Sequence, residues 1–205
     1  MISMDFMDGL PQSSKFNCLL VLVNKRTKFA YFLPLAHPYT AALAAQLYMN
    51  QIYRTHGLPK AIVSDRDPVF TSHFWQELFC GAGTELRLST ANHSQTDGQT
   101  EHVNQCVDTF LSCFTQACPR RWSFWIPLAQ FWYTNAHHSA IRLTPFKALF
   151  GYEPAQLGIS ADSVCSVPAL QSWLDERATV QDLLQQHLNR ARQLMKDQAD
   201  KKRSF

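Results

Sequence analysis

Residues 58–79, LPKAIVSDRDPVFTSHFWQELF, decide how the chain is built. After the Gly57-Leu58-Pro59 break, the run AIVS at 61–64 reads as a short strand that delivers Asp65 at its carboxyl end. Residues 72–80 then read as a helix. Strand followed by helix is the unit of α/β domains, and open α/β sheets place ligands just beyond the carboxyl ends of their strands.

Upstream, Ile2, Met4 and Phe6 alternate with Ser3, Asp5 and Met7, the period of a half-buried strand, so Asp5 faces away from the Ile2/Met4/Phe6 side. Residues 18–23 form a wholly apolar strand, 24–28 a polar turn and 29–33 a second strand, so three adjacent strands open the domain. Thr40 is placed to cap a helix over 40–53 that ends near Gly57 and Pro59. Residues 85–88 read as another strand and 90–100 as a polar loop without a basic residue.

Helices dominate from Glu101 onward. Val103, Val107, Phe110, Leu111 and Phe114 make one apolar stripe, and Glu101 lies about 160° around the helical wheel from Val103, presented to solvent or to a site. Residues 122–135 are aromatic-rich and helical in spacing, with Trp122, Trp125 and Trp132 as packing residues. Thr144-Pro145 supplies a cap and first-turn proline for a helix ending at Gly151, and a long polar, amphipathic helix follows from residue 169.

Composition narrows the class. The chain has 205 residues, 46% hydrophobic and 17% charged, which suits one globular domain and excludes a disordered or collagen-like chain. Its longest unbroken apolar run, residues 18–23, is far short of the ~20 residues a membrane-crossing helix needs. Six cysteines without a CxxC pair read as free thiols, mostly buried, and show no zinc-finger spacing. Net charge is +3, yet residues 186–205 carry six basic against two acidic side chains, so the remainder is close to neutral. Charge alone does not declare a DNA-binding surface.

Three acids stand where a strand or helix offers them to one end of a sheet: Asp5, Asp65 and Glu101. Carboxylates that converge repel one another, and divalent cations with oxygen ligands remove that penalty, so convergence would imply metal. Taken singly, each acid also reads as a solvated surface charge. Fifty-nine residues separate Asp5 from Asp65 and thirty-five separate Asp65 from Glu101, with SMDF at 3–6 and HSQTDGQTEHVN at 93–104 around the outer two.

With those strings, and with HPYTA at 37–41, HGLP at 56–59, TPF at 144–146 and GYEP at 151–154, the chain closely resembles the integrase catalytic core of gypsy-type long-terminal-repeat retrotransposons, related to retroviral integrases. The resemblance implies a ribonuclease-H-like α/β fold: a mixed five-stranded sheet beginning with an antiparallel meander, flanked by helices, with a long C-terminal helix. It implies a core at residues 1–160 and a helical extension at 161–205. It places the catalytic metal ligands on Asp5, Asp65 and Glu101, in preference to Asp8, Asp67 and Asp97, holding two Mg²⁺ or Mn²⁺ ions. The implied activity is metal-dependent polynucleotidyl transfer, namely 3′-end processing and strand transfer of retrotransposon DNA.

Gln95, Thr96, Gly98 and Gln99 are the residues expected to lie against a DNA end. The implied partners are element and target DNA and further copies of the chain, with no membrane, and the implied site of action is the nucleus. Ser94 stands where the family usually has proline and His102 where arginine is common. The family's zinc-binding domain and β-barrel normally flank such a core, so the expectation is a fragment of an element: a degraded copy, a partial gene model or a core excised from a longer polyprotein. An inactive DNA-binding or assembly module and a ribonuclease-H-type nuclease are the alternatives.

Overall fold

A computed structural model describes residues 1–89, 98–115, 119–154 and 168, and the compact unit Met1–Pro154 holds the sheet and its flanking helices. The expected extension at 161–205, with its long helix, lies outside the described residues apart from residue 168.

Five strands form one mixed sheet. β1 (Ile2–Met7), β2 (Cys18–Asn24) and β3 (Ala30–Leu35) make an antiparallel meander, and β4 (Ala61–Ser64) and β5 (Glu85–Leu88) extend it in parallel, in the order β3-β2-β1-β4-β5. This is the mixed five-stranded sheet that the sequence led us to expect. β3 starts one residue later than expected and runs through Pro34, because pairing with β2 extends to Leu35 opposite Cys18.

The alternation in β1 sorts its side chains between two layers. Met4, flanked by Ile2 and Phe6, packs with Leu20, Leu22, Leu33 and Leu35 against Tyr48, Trp75 and Phe79. That layer holds α1 (Ala41–Tyr48), α2 (Arg54–His56), α3 (Pro68–Thr71) and α4 (His73–Gly81). Behind the other face lie α5 (Gly98–Thr115), which contacts β1 and β2, and α6 (Trp122–Asn135), which contacts β3. β2 is buried on both faces, which explains its unbroken apolar run. Each large apolar side chain buried this way contributes roughly 1.5–3 kcal/mol.

Three local features depart from the pattern read in the sequence. The helix over 40–53 begins on the Thr40 cap but changes at Met49–Tyr53 to a π-helical turn, which keeps both Tyr48 and Ile52 buried. Gly57, at φ +69°, then turns the chain toward β4. Asp67, in the loop after β4, accepts from the Val69 N–H on its Oδ1 at 2.7 Å and caps α3, a helix too short to show periodicity. Residues 98–100 belong to the first turn of α5, not to the preceding loop.

Elsewhere the elements fall where the spacing put them. β4, β5 and α6 have the expected bounds, and α7 (Pro145–Phe150) carries the Thr144 cap and the left-handed Gly151 terminus. Trp122 is buried and donates Nε1–H to the Pro11 carbonyl at 2.6 Å, and Trp132 packs against Phe110. Among the described cysteines, Cys18 is a buried free thiol, Cys106 is half-buried and Cys80 is exposed.

Candidate active site

β1 and β4 run parallel in adjacent positions, with Met4 opposite Ser64. The next residue in each is Asp5, within β1, and Asp65, just past the end of β4, so the sheet register brings these two acids to neighbouring places on adjacent strands. Both are half-buried. Asp5 Oδ1 accepts from the Phe6 N–H at 2.9 Å, and Asp65 Oδ1 accepts from the Asp67 N–H at 3.1 Å.

Asp5 and Ser3 share the face of β1 that looks at α5. Asn104 donates its Nδ2–H to Asp5 Oδ2 at 2.7 Å, and Thr100 donates its hydroxyl to Ser3 Oγ at 2.8 Å. Ser3 and Thr100 are fully buried. The Asn104 Oδ1 atom is also buried and has no hydrogen-bond partner among the described residues. A neutral oxygen in that condition is a costly feature unless it serves a ligand.

Glu101 sits in the first turn of α5, between Thr100 and Asn104, and is exposed, as expected for a residue opposite the buried Val103 and Val107. The partial positive charge of the helix N-terminus favours a carboxylate there. Among the described residues, however, no three His, Cys, Asp or Glu side chains lie together closely enough to hold a metal ion. The fold thus brings Asp5 and Asp65 to one place and ties the helix bearing Glu101 to β1, without closing the three acids into one group.

Further acids surround the pair. Burial raises the Asp67 carboxyl above its usual range, the Val69 N–H partly offsets this, and the Asp65 and Asp8 carboxylates raise it further. Asp8 lies beyond the end of β1 and accepts from the Tyr39 hydroxyl at 3.1 Å. Tyr39 stacks on Phe6, which stacks on Phe70, with ring centroids 4.4 and 4.9 Å apart. Burial, together with Cys18, Asp8 and Asp67, holds the Tyr39 phenol up and therefore neutral.

Of the residues expected to meet DNA, Gln95 and Thr96 lie outside the described residues, and Gly98 and Gln99 are helical. The reading from sequence overlooked Ser3, Thr100, Asn104 and Tyr39. The signal for the first three was present: Ser3 and Asp5 are two apart on a strand, and Thr100 and Asn104 four apart on a helix, so each pair shares a face.

Asp5, its neighbour Asp65 and the unpartnered Asn104 Oδ1 beside Asp5 all offer oxygen, the donor type that suits a hard divalent cation.

No protein-family model matches the chain. Over a match that covers 98% of the chain, it is 35% identical to the Transposon Tf2-3 polyprotein of Schizosaccharomyces pombe, and it spans 15% of that relative's length. The fold is similar to the HTLV-2 integrase catalytic core domain in complex with magnesium (trimeric form), with TM-score 0.57, 17% identity, and coverage of 72% of this chain and 93% of that one. It is also similar to the simian T-cell lymphotropic virus intasome in complex with the PP2A regulatory subunit B56 gamma, with TM-score 0.62, 14% identity, and coverage of 81% and 59%. The mixed sheet with its flanking helices is therefore the ribonuclease-H-like fold that the sequence led us to expect.

Proposed function

We propose that this chain is the catalytic core of a gypsy-type retroelement integrase, a polynucleotidyl transferase that trims the ends of element DNA and joins them to target DNA. The observation that carries the reading is the placement of Asp5 beside the end of β4, where Asp65 follows, with the helix that bears Glu101 bonded to β1 beside them. The likeness to integrase cores in fold, and to a retrotransposon polyprotein along nearly the whole chain, supports it.

In this reading Asp5, Asp65 and Glu101 hold two Mg²⁺ or Mn²⁺ ions. Bound there, such cations supply a lowered pKa for the attacking hydroxyl and charge stabilisation for the leaving oxygen. The chain's own contribution is orientation. The Phe6 N–H and the Asn104 amide fix both oxygens of Asp5, and the Asp67 N–H fixes Asp65. Water attacking phosphorus expels the 3′-oxygen of the nucleotide that stays on the element end, and the trimmed piece leaves with the phosphate on its 5′ side. The freed 3′-hydroxyl, attacking a target phosphodiester, breaks one P–O bond as it forms another. A direct displacement needs no protein nucleophile. The partners proposed are element-end and target DNA and further copies of the chain, working in the nucleus where that target lies.

The test uses the 205-residue chain with duplex oligonucleotides and Mn²⁺. Metal-dependent nicking or joining of duplex DNA that is lost in Asp65→Asn is expected. Activity that survives this substitution refutes the site, and preference for an RNA–DNA hybrid refutes the integrase assignment in favour of a ribonuclease-H-type nuclease. DNA binding indifferent to chelator, without any cleavage, would leave an assembly module.

A further inference from the structure

Ser3 and Asp5 are two residues apart on β1 and therefore about 6.6 Å apart along the strand. Thr100 and Asn104 are four apart on α5 and therefore about 6.0 Å apart along the helix axis. The two spacings nearly match, and the structure uses the match: Thr100 bonds Ser3 and Asn104 bonds Asp5, so α5 lies on β1 as a two-rung ladder. Glu101 stands between the rungs, on the flank of the helix. Sliding α5 by one residue, or turning it by one position, would break both rungs and carry Glu101 away from the aspartates.

The two rungs are chemically different. Asn104 touches a proposed metal ligand, so its own environment changes when the site fills. Ser3 and Thr100 are fully buried, 97 residues apart in sequence, and bonded to each other. Their polarity is expensive in the core unless each hydroxyl is satisfied by the other. An apolar pair would serve packing equally well without specifying where along β1 the helix must stop.

We propose that the buried Ser3–Thr100 hydroxyl pair is a positioning pair for the carboxylate site, setting the axial station of the first turn of α5 and hence of Glu101 relative to Asp5 and Asp65. This rests on the reading that those three acids bind divalent cations.

The test measures Mn²⁺ affinity of the full 205-residue chain by calorimetry, without DNA, alongside thermal melting. Thr100→Val preserves shape and removes the hydroxyl; it is expected to weaken Mn²⁺ binding roughly tenfold, the scale seen when groups supporting a metal ligand are removed. Thr100→Ser restores affinity to within about twofold of wild type, because the bond to Ser3 returns. Ser3→Ala weakens binding similarly, and the double variant is no worse than either single, as one shared bond requires. Thr134→Val, which removes another buried hydroxyl, one that among the described residues bonds within α6, leaves affinity unchanged.

Wild-type affinity in both Thr100→Val and Ser3→Ala, beside a weakened Asp65→Asn, overturns the positioning role alone. Unchanged affinity in Asp65→Asn as well overturns the metal-site reading and this proposal with it. If Thr100→Val does not fold, the Ser3→Ala and Thr100→Ser affinities decide.

Discussion

The Asn104 amide donates to Asp5 across 99 residues of sequence at 2.7 Å, while its own carbonyl oxygen stays buried and unpartnered among the described residues. One side chain therefore both orients a proposed metal ligand and carries an unmet acceptor beside it. Asn104→Ala removes the bond and the orphan together, so the stability costs partly cancel and the urea midpoint should move little. Metal-dependent cleavage should fall at least about tenfold. A large loss of stability with normal cleavage would show the bond to be structural.

Asn104→Asp separates orientation from charge. A second carboxylate against Asp5 should lower the melting temperature in the presence of chelator, since like charges resist sharing a site. Added Mg²⁺ should then raise the melting temperature of this variant by more than it raises that of wild type. Equal rises in both proteins would contradict a cation bound at Asp5.

Ligand linkage gives a test that needs no DNA. A cation held by the folded state alone stabilises it by about 1.4 kcal/mol at ten times its dissociation constant. Melting curves with and without Mg²⁺ should show this rise for wild type and its loss in Asp65→Asn. A rise of the same size in both would place the ion elsewhere.

Asp67 has a structural duty and an electrostatic cost. Asp67→Ala removes the cap of α3 and should cost about 1 kcal/mol. Asp67→Asn keeps an acceptor for Val69 and removes a charge near Asp65 and Asp8. Because the folded carboxyl titrates above its ordinary value, the folded state binds its proton more readily than the unfolded chain, and ionisation costs stability as pH rises through that range. The Asn variant should thus match or exceed wild type at pH 7 in chemical denaturation, by a few tenths of a kcal/mol at this partly exposed position. The difference should shrink as pH falls and wild-type Asp67 takes up its proton.

His138 predicts the opposite slope. Burial lowers its imidazole below the usual 6.5, helped by Lys28, His102 and His137, and its Nδ1 is buried without a partner among the described residues. Its contribution is fully present above pH 6.5 and is lost as pH falls toward the lowered folded value, because the unfolded chain protonates first. His138→Gln should flatten the decline in melting temperature between about pH 7 and 5. An unchanged profile would assign the decline to other groups.

How much of this was readable in advance depends on the range of the interaction. β4, β5, α6 and α7 were legible because each is announced by its own residues: a short apolar run, an alternation of charged and apolar residues, a helical stripe, or a threonine-proline start and glycine stop. α3 was not, since four residues cannot display a period, although Asp67-Pro68 is a cap followed by a first-turn proline. The π-helical turn at Met49–Tyr53 was hidden too, because it answers to the burial of Tyr48 and Ile52 against other elements.

The site divides along the same line. Alternation along β1 already turned Asp5 away from Ile2, Met4 and Phe6, and the helical wheel already turned Glu101 away from Val103; both follow from backbone period, which every residue in the chain carries locally. Only the tertiary structure set Met4 against Ser64, so that Asp5 and Asp65 became neighbours, and only it laid α5 on β1 so that Thr100 found Ser3 and Asn104 found Asp5. Register and helix position are choices among many pairings that local pattern leaves equal. They are resolved when distant polar groups are buried together and must satisfy one another.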